Sequence, residues 1–369
     1  MPSFNLLVRA LLSVRSSKAR PLIWLLIDSS GVGGAERHVS MLAESLIRRG
    51  LRVTIVLYGD HGHNPWLDQI VAARVPHLLL DNTVASLIKM THRERPQLIH
   101  THGYKAGILG RIGGRLAGIP TVSTFHSGLR GRGRVYLYDL IDEWTSFLGA
   151  RIAVSAAIQQ RLPFSSTLIP SFVQVPSNSM GGGGLPRRVG FVGRLSEEKG
   201  PDVFCEIAAC SPPGLEWHVF GSGPMRAGLE ERFGPHVRFH GSVVDLSGVW
   251  PSLGLLLMPS RSEGLPLAAL EALAHGVPVL ASRVGALPSV VIAGVTGWLF
   301  ESGCVAEARE AVCRWQSCNS EQQSMLRQQC RTHVRTHFSE QQWVPPVIDI
   351  YRQTGLPVPA APFANDLDQ

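Results

Sequence analysis

The sequence predicts an α/β protein built from two Rossmann-like, doubly wound parallel sheets that face each other across a cleft. Short apolar runs alternate with helical patterns along most of the 369 residues, which is typical of parallel sheets with crossover helices. The alternation is interrupted once, at a Pro-, Ser- and Gly-rich stretch (169–188) with four consecutive glycines, the composition of a linker. At 44% hydrophobic and 17% charged residues, the chain can bury the cores of two domains of ordinary size.

The first half opens with the apolar run PLIWLLIDSS (21–30), which indicates a strand buried on both faces. A helix is predicted over AERHVSMLAESLIRRG, where Gly50 ends it. Further strands are predicted at LRVTIVLYG, QLIHTHG, TVSTFHSG and RIAVSAAI, the last of which closes this set, with a helix over AGILGRIGGRLAG. The second half repeats the pattern, with strands at RVGFVGRL, EWHVFGSG, VRFHGSV, GLLLMPS, PVLAS and GWLF.

The charge balance and the cysteines limit the class of partner and compartment. Lys and Arg number 35 against 28 Asp and Glu, a net charge of +7, which suits an anionic substrate or a membrane surface. Neither a ladder of basic and aromatic residues nor zinc-finger spacing is present, so we expect no nucleic acid partner. The cysteines form no CxxC pair, which predicts reduced thiols in a cytoplasmic protein. They are Cys205, Cys210, Cys304, Cys313, Cys318 and Cys330.

The N-terminal segment (1–20) is basic and amphipathic. Arg9 interrupts any signal-peptide core and no small-residue cleavage site follows, while no apolar run reaches the roughly 18 residues of a spanning helix. The segment is either an interfacial membrane helix, which would hold the protein peripherally on the inner membrane face, or a frayed terminus. Its apolar face would comprise Phe4, Leu7, Val8, Leu11 and Val14, with Arg9, Arg15, Lys18 and Arg20 around it.

Four loops that follow predicted strands carry the candidate site residues. In SSGVGGAE (29–36), Gly33 and Gly34 let a ligand approach the backbone at a helix start; a plain tight turn explains the same residues. Glu36 stands where a dinucleotide fingerprint has its third glycine, which weakens the case for a NAD site. In the second loop, His126 directly follows the run TVSTF, where a histidine is either structural or functional.

The third loop is GRLSEEKG (193–200), in which Arg194 and Lys199 flank one turn after a strand. Two cations in this position can clamp a diphosphate. Scattered surface cations are the alternative interpretation.

The fourth loop, RSEGLPLAALEALAHGVPVLAS (261–282), places Glu263 and Glu271 eight residues apart. On one continuous helix they would lie about 12 Å apart along the axis, beyond the roughly 5 to 9.5 Å of glycosidase carboxyl pairs. Pro266 at a first helical position predicts instead a helix that begins near Leu265. The two acids would then flank an anion site at the helix start, or be a solvated loop acid and a helix-face acid. The amides of that site would belong to Gly264, Leu265 and Leu267.

Taken in order, these motifs resemble the retaining glycosyltransferases of the GT-B fold, of the family 4 type found in bacterial polysaccharide and lipopolysaccharide synthesis. The resemblance covers roughly residues 21–355 and is strongest in SEGLPLAALEALAHGVPVLASRVGALPSVV, which holds the family's E-x7-E pattern from Glu263 to Glu271. Further matching motifs are GVGGAERHV, TFHSG, VGFVGRLSEEKG, VFGSGP, VRFHGSV and GVTGWLF.

The resemblance implies a role for each candidate residue. Arg194 and Lys199 would hold the donor diphosphate, Glu271 the ribose hydroxyls and Glu263 the hydroxyls of the donor sugar. His126 would lie beside the donor sugar and the attacking acceptor hydroxyl. The implied catalytic set is His126, Arg194, Lys199 and Glu263, and the implied donor-binding set is Gly33, Gly34, Gly193, Val243, Gly264, Leu265, Leu267 and Glu271.

The same resemblance implies a reaction without a required metal or other cofactor. The nucleotide would leave on the face that the acceptor attacks, and the chain has no DxD motif where a metal would be expected. The implied partners are a nucleotide-sugar donor and a sugar or lipid-linked acceptor, in the synthesis of a cell-surface polysaccharide, lipopolysaccharide or glycolipid.

The loop after His126 departs from the family's pattern, and rival functions stay open. GLRGRGRVYLYD (128–139) is unusually rich in Arg and Gly, and Arg130, Arg132 and Arg134 form a second basic feature that favours an anionic membrane surface. The rival functions are a NAD oxidoreductase, a same-fold nucleotide-sugar epimerase or phosphorylase, and a non-catalytic nucleotide-sugar-binding relative.

The resemblance implies the following division of the chain: segment 1–20, acceptor domain 21–172, linker 173–186, nucleotide-sugar domain 187–337, and residues 338–369. The last part comprises a C-terminal helix that crosses back to the first domain, and the tail. Pro345 and Pro346 predict a break in that helix.

Overall fold

The computed structural model describes residues 20–128, 130–131, 133–176, 186–211, 213–243 and 245–358. Within them the first domain alternates strands and helices around one parallel sheet, with strand order β3-β2-β1-β4-β5-β6-β7. Its strands are β1 (Leu22–Ile27), β2 (Arg52–Leu57), β3 (His77–Leu79), β4 (Leu98–His102), β5 (Thr121–Phe125), β6 (Ala150–Ala153) and β7 (Thr167–Leu168). Its helices are α1 (Gly34–Arg48), α2 (Pro65–Ala72), α3 (Val84–Glu94), α4 (Tyr104–Ala117), α5 (Arg134–Thr145) and α6 (Ala156–Arg161), with a 3₁₀ turn at Ser146–Leu148.

The second domain repeats this plan around a second parallel sheet, with strand order β10-β9-β8-β11-β12-β13 in the described residues. Its strands are β8 (Arg188–Val192), β9 (Glu216–Phe220), β10 (Arg238–Phe239), β11 (Leu255–Met258), β12 (Val279–Ser282) and β13 (Gly297–Phe300). Its helices are α7 (Pro201–Ala209), α8 (Arg226–Phe233), α9 (Leu267–Ala274), α10 (Leu287–Val290), α11 (Val305–Gln316) and α12 (Ser320–His337), with 3₁₀ turns at Glu197–Lys199 and Trp250–Ser252, and the C-terminal helix is α13 (Glu340–Gln353).

The predicted fold class is confirmed, and the structure adds two strands that the sequence pattern did not reveal. Every run interpreted as a strand contains one. The central strands are buried on both sheet faces, which demands a continuous apolar sequence, whereas β10 is short and partly exposed. β3 and β7 are the two edge strands of the first sheet. They have three and two residues and expose most of their side chains. The expectation that RIAVSAAI closes the set is therefore wrong, since β7 follows it.

Strand order in both sheets places the candidate loops at equivalent points. In each sheet the order reverses beside the first strand of the domain, so β1 lies between β2 and β4, and β8 lies between β9 and β11. Ligands of doubly wound sheets bind at such reversals, outside the carboxyl ends of the strands. The loops after β1, β4, β5, β8 and β11 therefore converge on one region, and buried side chains from both domains form a shared core there, including Phe125 and Val154 of the first domain and Leu265 and Leu267 of the second.

The C-terminal helix α13 packs into the core of the first domain, where Val344, Val347, Ile348 and Tyr351 are buried with β1 and α1. It runs without interruption through Pro345 and Pro346, so the predicted break is wrong. Pro345 is exposed and Pro346 is partly exposed. The carbonyl groups left without an N–H donor belong to Gln341 and Gln342, which are exposed residues, so water can bond to them. The apolar face of the helix holds it in place.

Several predicted features lie outside the described residues: the basic segment up to residue 19, Arg132, the linker residues 177–185 and the tail from residue 359. The six cysteines all lie within the described part and are free thiols, as predicted. Across the helices that the structure describes, none combines the length and the apolar character needed to cross a membrane.

Candidate functional site

The loop after β11 buries the carboxylate of Glu263 and gives it three hydrogen bonds. The Lys199 Nζ atom lies 2.8 Å from each carboxylate oxygen, and the Ser260 hydroxyl donates to Oε1 over 2.8 Å. Because Glu263 has a side-chain exposure of only 3%, the lysine is its counter-ion in a largely desolvated position. Arg194, the other predicted clamp residue, is exposed at the start of the same lysine-bearing loop.

Hydrogen bonds and an ion pair join this lysine-bearing loop to the loop of Glu263. The backbone N–H of Arg261 donates to the Glu198 carbonyl over 2.8 Å, and its guanidinium forms a bidentate pair with Asp202. Gly200 has a φ of +65°, and a Cβ atom there would lie 2.1 Å from the Pro259 carbonyl oxygen. A glycine is required at this point by both conformation and contact, and it lets the two loops approach closely enough to place Lys199 beside Glu263.

Helix α9 begins one turn after Glu263, at Leu267, with Pro266 as the preceding cap residue in an extended conformation. The prediction that the helix begins near Leu265 with proline at the first helical position is therefore wrong by about one to two residues. The first backbone amides of a helix have no intrahelical acceptor, so the helix amides available to the predicted anion site begin at Leu267. The Gly264 carbonyl accepts from the Ala286 amide over 3.1 Å, which holds this turn in shape.

Glu271, in the second turn of α9, pairs with a residue of the other domain. The Arg37 Nε atom on α1 lies 2.6 Å from its Oε1 atom, and the two residues are 234 positions apart in sequence. Burial raises the pKa of Glu271, while Arg37 and a hydrogen bond from Trp250 act in the opposite direction. The carboxylate that the sequence assigns to a ribose thus also links the two sides of the cleft.

The loop after β5 touches the loop of Glu263 directly. A Cβ atom on Gly128 would lie 2.4 Å from the Glu263 carbonyl oxygen, and one on Gly264 would lie 2.6 Å from the His126 carbonyl oxygen. The chain can bring these loops together only because both positions are glycine. His126 of the first domain and Glu263 of the second are therefore neighbours across the cleft.

His126 belongs to a buried cluster of imidazoles. Its Nε2 atom lies 3.0 Å from Nδ1 of His102, and the ring of His38 packs edge-on at 4.8 Å between centroids. Burial lowers the pKa of all three, to about 4 for His38 and well below the ordinary value for the other two. Behind them, His100 is held by the hydroxyls of Tyr351 and Thr124, each at 2.7 Å. These imidazoles are uncharged at neutral pH.

The remaining predicted donor residues lie at the ends of the central strands. Gly33 precedes α1 as its cap and Gly34 opens it, and a Cβ atom on Gly34 would meet no atom within 4 Å, which leaves the helix start accessible. Gly193 follows β8 at the equivalent point of the second sheet. Val243 follows β10 and packs, partly buried, against the shared core.

One arginine of the basic loop is paired within the first domain. Arg130 forms an ion pair with Glu143, whose side chain is 3% exposed and also pairs with Arg161 at 2.9 Å. A buried carboxylate thus holds Arg130 against the domain, so it is not a free cation for a membrane surface. Arg134 is exposed at the start of α5.

Sequence reasoning missed Arg37, Ser260, His38 and His102. Each stands within or next to a quoted motif, but the contacts that make them part of the site join residues far apart in the chain. Arg37 and His38 follow the glycine turn inside GVGGAERHV, and His102 is the last residue but one of QLIHTHG. Their positions at strand ends and at a helix start would have been a usable signal.

Comparisons with known proteins agree with this architecture. The model described as Glycosyltransferase Family 4 matches residues 32–163, and the model described as Glycosyl transferases group 1 matches residues 186–317, so together they match well over half of the chain. Among curated proteins, the chain is 23% identical over 305 residues to UDP-Gal:alpha-D-GlcNAc-diphosphoundecaprenol alpha-1,3-galactosyltransferase of Escherichia coli, covering 73% of this chain and 78% of that protein.

Among solved structures, the chain is similar to Anabaena HepE in complex with UDP and glucose, with a TM-score of 0.77, 18% identity, and coverage of 90% of this chain and 100% of that one. It is also similar to sucrose-phosphate synthase from Thermosynechococcus elongatus, with a TM-score of 0.72, 21% identity, and coverage of 90% and 99%. At these identities the likeness concerns the fold, and it extends over both domains.

Proposed function

The chain belongs to the group 1, family 4 glycosyltransferases and has the GT-B fold, and we propose that it moves a sugar from a nucleotide-sugar donor to a hydroxyl acceptor with retention of the anomeric configuration. The observation that carries this proposal is the meeting of two unlike walls in one cleft. One wall holds the Lys199–Glu263 pair beside the start of α9, and the other holds the neutral imidazole of His126. Cationic and amide groups suit a diphosphate, and neutral groups suit sugar hydroxyls.

In the proposed donor complex, the diphosphate lies between the exposed side of the lysine-bearing loop and the first amides of α9. Lys199 and Arg194 would neutralise the charge that develops on the departing nucleotide, assisted by the amides near Gly264, Leu265 and Leu267. Lys199 has a side-chain exposure of 32%, so its ammonium group can contact a ligand while it remains paired with Glu263. Gly33, Gly34 and Gly193 would let the ligand approach the two central strand ends.

Glu263 and Glu271 would hold two parts of one donor molecule. Ser260 and Lys199 fix the orientation of the Glu263 carboxylate, which would accept hydrogen bonds from the sugar hydroxyls. Glu271 would accept from the ribose hydroxyls, sharing or exchanging its contact with Arg37. Val243 would lie against the nucleobase.

In the proposed reaction the bond between the anomeric carbon and the donor phosphate oxygen breaks, and the acceptor oxygen bonds to that carbon on the same face. The acceptor proton moves to the departing phosphate oxygen, so no enzyme carboxylate has to act as nucleophile. His126 would position the donor sugar and the acceptor hydroxyl. Since the described cations and amides already offer charge stabilisation, the proposal requires neither a metal ion nor another cofactor.

For the acceptor, we propose a lipid-linked sugar at the inner membrane face, in the synthesis of a cell-surface polysaccharide, lipopolysaccharide or glycolipid. The curated relative from Escherichia coli acts, by its name, on a diphosphoundecaprenol-linked sugar. In this chain α5 and the turn after it expose a set of large apolar side chains beside the exposed Arg134, a pattern typical of an interfacial helix. These side chains are Leu137, Tyr138, Ile141, Trp144 and Phe147.

The test is incubation with a panel of nucleotide sugars and candidate acceptors, followed by mass spectrometry and by NMR of the anomeric proton. The expected result is one mass increment of a sugar on an acceptor, with the anomeric configuration of the donor. A Glu263→Gln variant, which keeps the size of the side chain and removes its charge, should lose most of the product. Inverted product would refute retention, and interconversion of the nucleotide sugar without transfer would favour the epimerase alternative.

A further inference from the structure

Three histidines from separate parts of the first domain meet at its carboxyl edge. His102 ends β4 and His126 follows β5, and the two strands are neighbours in the sheet. His38 lies in the first turns of α1, which follows β1, the other neighbour of β4. One ring nitrogen from each of the three residues lies within 4.8 Å of the others. The sheet topology therefore gathers three imidazoles that are dispersed in the sequence.

The spacing of the rings matches that of imidazoles bound to one metal ion. The centroids of His38 and His126 are 4.8 Å apart, those of His102 and His126 5.3 Å, and those of His38 and His102 5.7 Å. With metal–nitrogen bonds of about 2.0–2.1 Å in a tetrahedral arrangement, three imidazole rings have centroids roughly 5 Å apart. Small side-chain rotations would bring the three nitrogens to bonding distance.

Two nitrogens of the cluster are left without a hydrogen-bond partner. Nδ1 of His38 and Nε2 of His102 are buried and bond to no other atom of the described residues, although buried polar side-chain atoms in proteins are nearly always paired. His100 cannot compensate, because both of its ring nitrogens are occupied by hydroxyl groups. A neutral imidazole carries the free lone pair that binds a metal ion.

His126 is the partly exposed member of the cluster, so a bound ion would have an open coordination position towards the cleft. Imidazole ligands favour zinc and the other late first-row metals over magnesium or calcium. From this geometry we propose that His38, His102 and His126 form a binding site for one divalent transition-metal ion, with zinc as the probe. In addition, and resting on the proposed role of His126, the bound ion inhibits transfer because it occupies the imidazole that positions the acceptor.

The experiment uses the full-length protein without an affinity tag, stripped with a chelator. Because Cys210 and Cys313 are exposed thiols and thiolates also bind zinc, a variant with both replaced by serine is the reference protein. Calorimetric titration with zinc, and absorption spectroscopy with cobalt, should show one ion per chain and a tetrahedral cobalt spectrum. The two readouts do not depend on any enzymatic activity.

His38→Gln and His102→Gln, which preserve side-chain volume, should each weaken binding by more than the roughly 10- to 100-fold that follows loss of an outer-shell partner. His92→Gln, on the exposed face of α3, is the matched control and should bind as the reference does. Circular dichroism checks that each variant is folded. Binding by the folded His38→Gln variant at the reference affinity, or no stoichiometric binding by the reference protein, would overturn the metal site.

The inhibitory effect is tested separately, in the transfer assay with the stripped reference protein. Zinc should lower the rate in proportion to the occupied fraction, and chelator should restore it. Full transfer by a protein saturated with one zinc ion would overturn the inhibition and leave the site itself intact. If no donor is transferred at all, the proposed function fails, and the calorimetric and spectroscopic results still decide the metal site.

Discussion

The two walls of the cleft are built on the same plan but stabilise their polar groups in opposite ways. On the second domain, Glu263 is buried as an ion and kept so by Lys199 and Ser260. On the first domain, the groups buried around His126 are imidazoles, and no carboxylate lies among their hydrogen-bond partners in the described residues, so burial lowers the pKa of His38 to about 4. Desolvation disfavours charge in both places, and only a nearby counter-ion reverses the result.

Under the proposed function, this difference lets one fold repeated twice bind two unlike ligands. A wall that already holds paired charges would accept a diphosphate, because a ligand anion replaces or shares contacts with existing cations. A cluster of neutral imidazoles would bind sugar hydroxyls. Two glycines, Gly128 and Gly264, allow the walls to approach each other, and Arg37–Glu271 is the ion pair that joins them.

The largest expected effect comes from the charged wall. Lys199→Ala removes a cation from the diphosphate site and leaves Glu263 buried without its counter-ion, so we expect transfer to fall by roughly 10²–10³, or about 2.7–4 kcal/mol of transition-state stabilisation. Arg194 is exposed, and Lys199, not Arg194, is the counter-ion of Glu263. Arg194→Ala should therefore lose only the stabilisation of the departing diphosphate. Steady-state kinetics measure both, with Lys89→Ala on the surface of the first domain as control. Near-wild-type rates in both variants would remove the donor site from this wall.

The second prediction concerns the residue that joins the walls. Glu271→Ala should weaken binding of the nucleoside diphosphate by about 1.5–3 kcal/mol, the contribution of hydrogen bonds to a charged group. Glu271→Gln keeps an acceptor oxygen and should lose less. Because burial raises the pKa of Glu271, affinity should also fall as the pH drops towards that pKa and the carboxylate becomes protonated. Calorimetry that finds one affinity for all three proteins would refute the ribose assignment.

A third prediction addresses the contact between the walls. Gly128→Ala places a Cβ atom 2.4 Å from the Glu263 carbonyl oxygen, so the loops must separate. We expect the free energy of unfolding to fall by about 1–3 kcal/mol, as for other overpacking substitutions. The substitution should also lower kcat more than nucleotide affinity, since the acceptor wall moves relative to the donor. Gly31→Ala, where a Cβ atom meets nothing within 4 Å, is the matched control. Equal kinetics for the two variants would show that the loops can part without consequence.

The smallest expected effect concerns the outer surface of the neutral-walled domain. Replacing Trp144 and Phe147 by serine should reduce sedimentation with anionic liposomes, because these side chains are 62% and 60% exposed. Neutralising Arg134 should remove a further contribution of about 1 kcal/mol, screened at high salt. Met325→Ser, 54% exposed on the second domain, is the control. If the intact protein stays in the supernatant at low salt, a soluble acceptor becomes the better proposal.

The fold was predictable because its signal is local. A parallel strand covered on both faces must be apolar throughout, so runs such as PLIWLLI and GLLLMPS are visible without any alignment. The short strands β3 and β7 are mostly exposed and carry no such signal. Prediction from local preference fails for α13, because it places a break at Pro345 and Pro346. The helix is continuous, since its opposite face packs on the first domain.

By itself the sequence predicted four candidate ligand loops, because ligands of doubly wound sheets bind outside the carboxyl ends of the strands. Only the tertiary structure decided which residues of those loops act together. Lys199 and Glu263 are 64 positions apart, and Arg37 and Glu271 are 234 apart, so neither pair has a sequence spacing that could reveal it. The histidine cluster likewise depends on three adjacent strand ends. Burial then fixes the charge state of each group, and burial is a property of the packed chain rather than of any single segment.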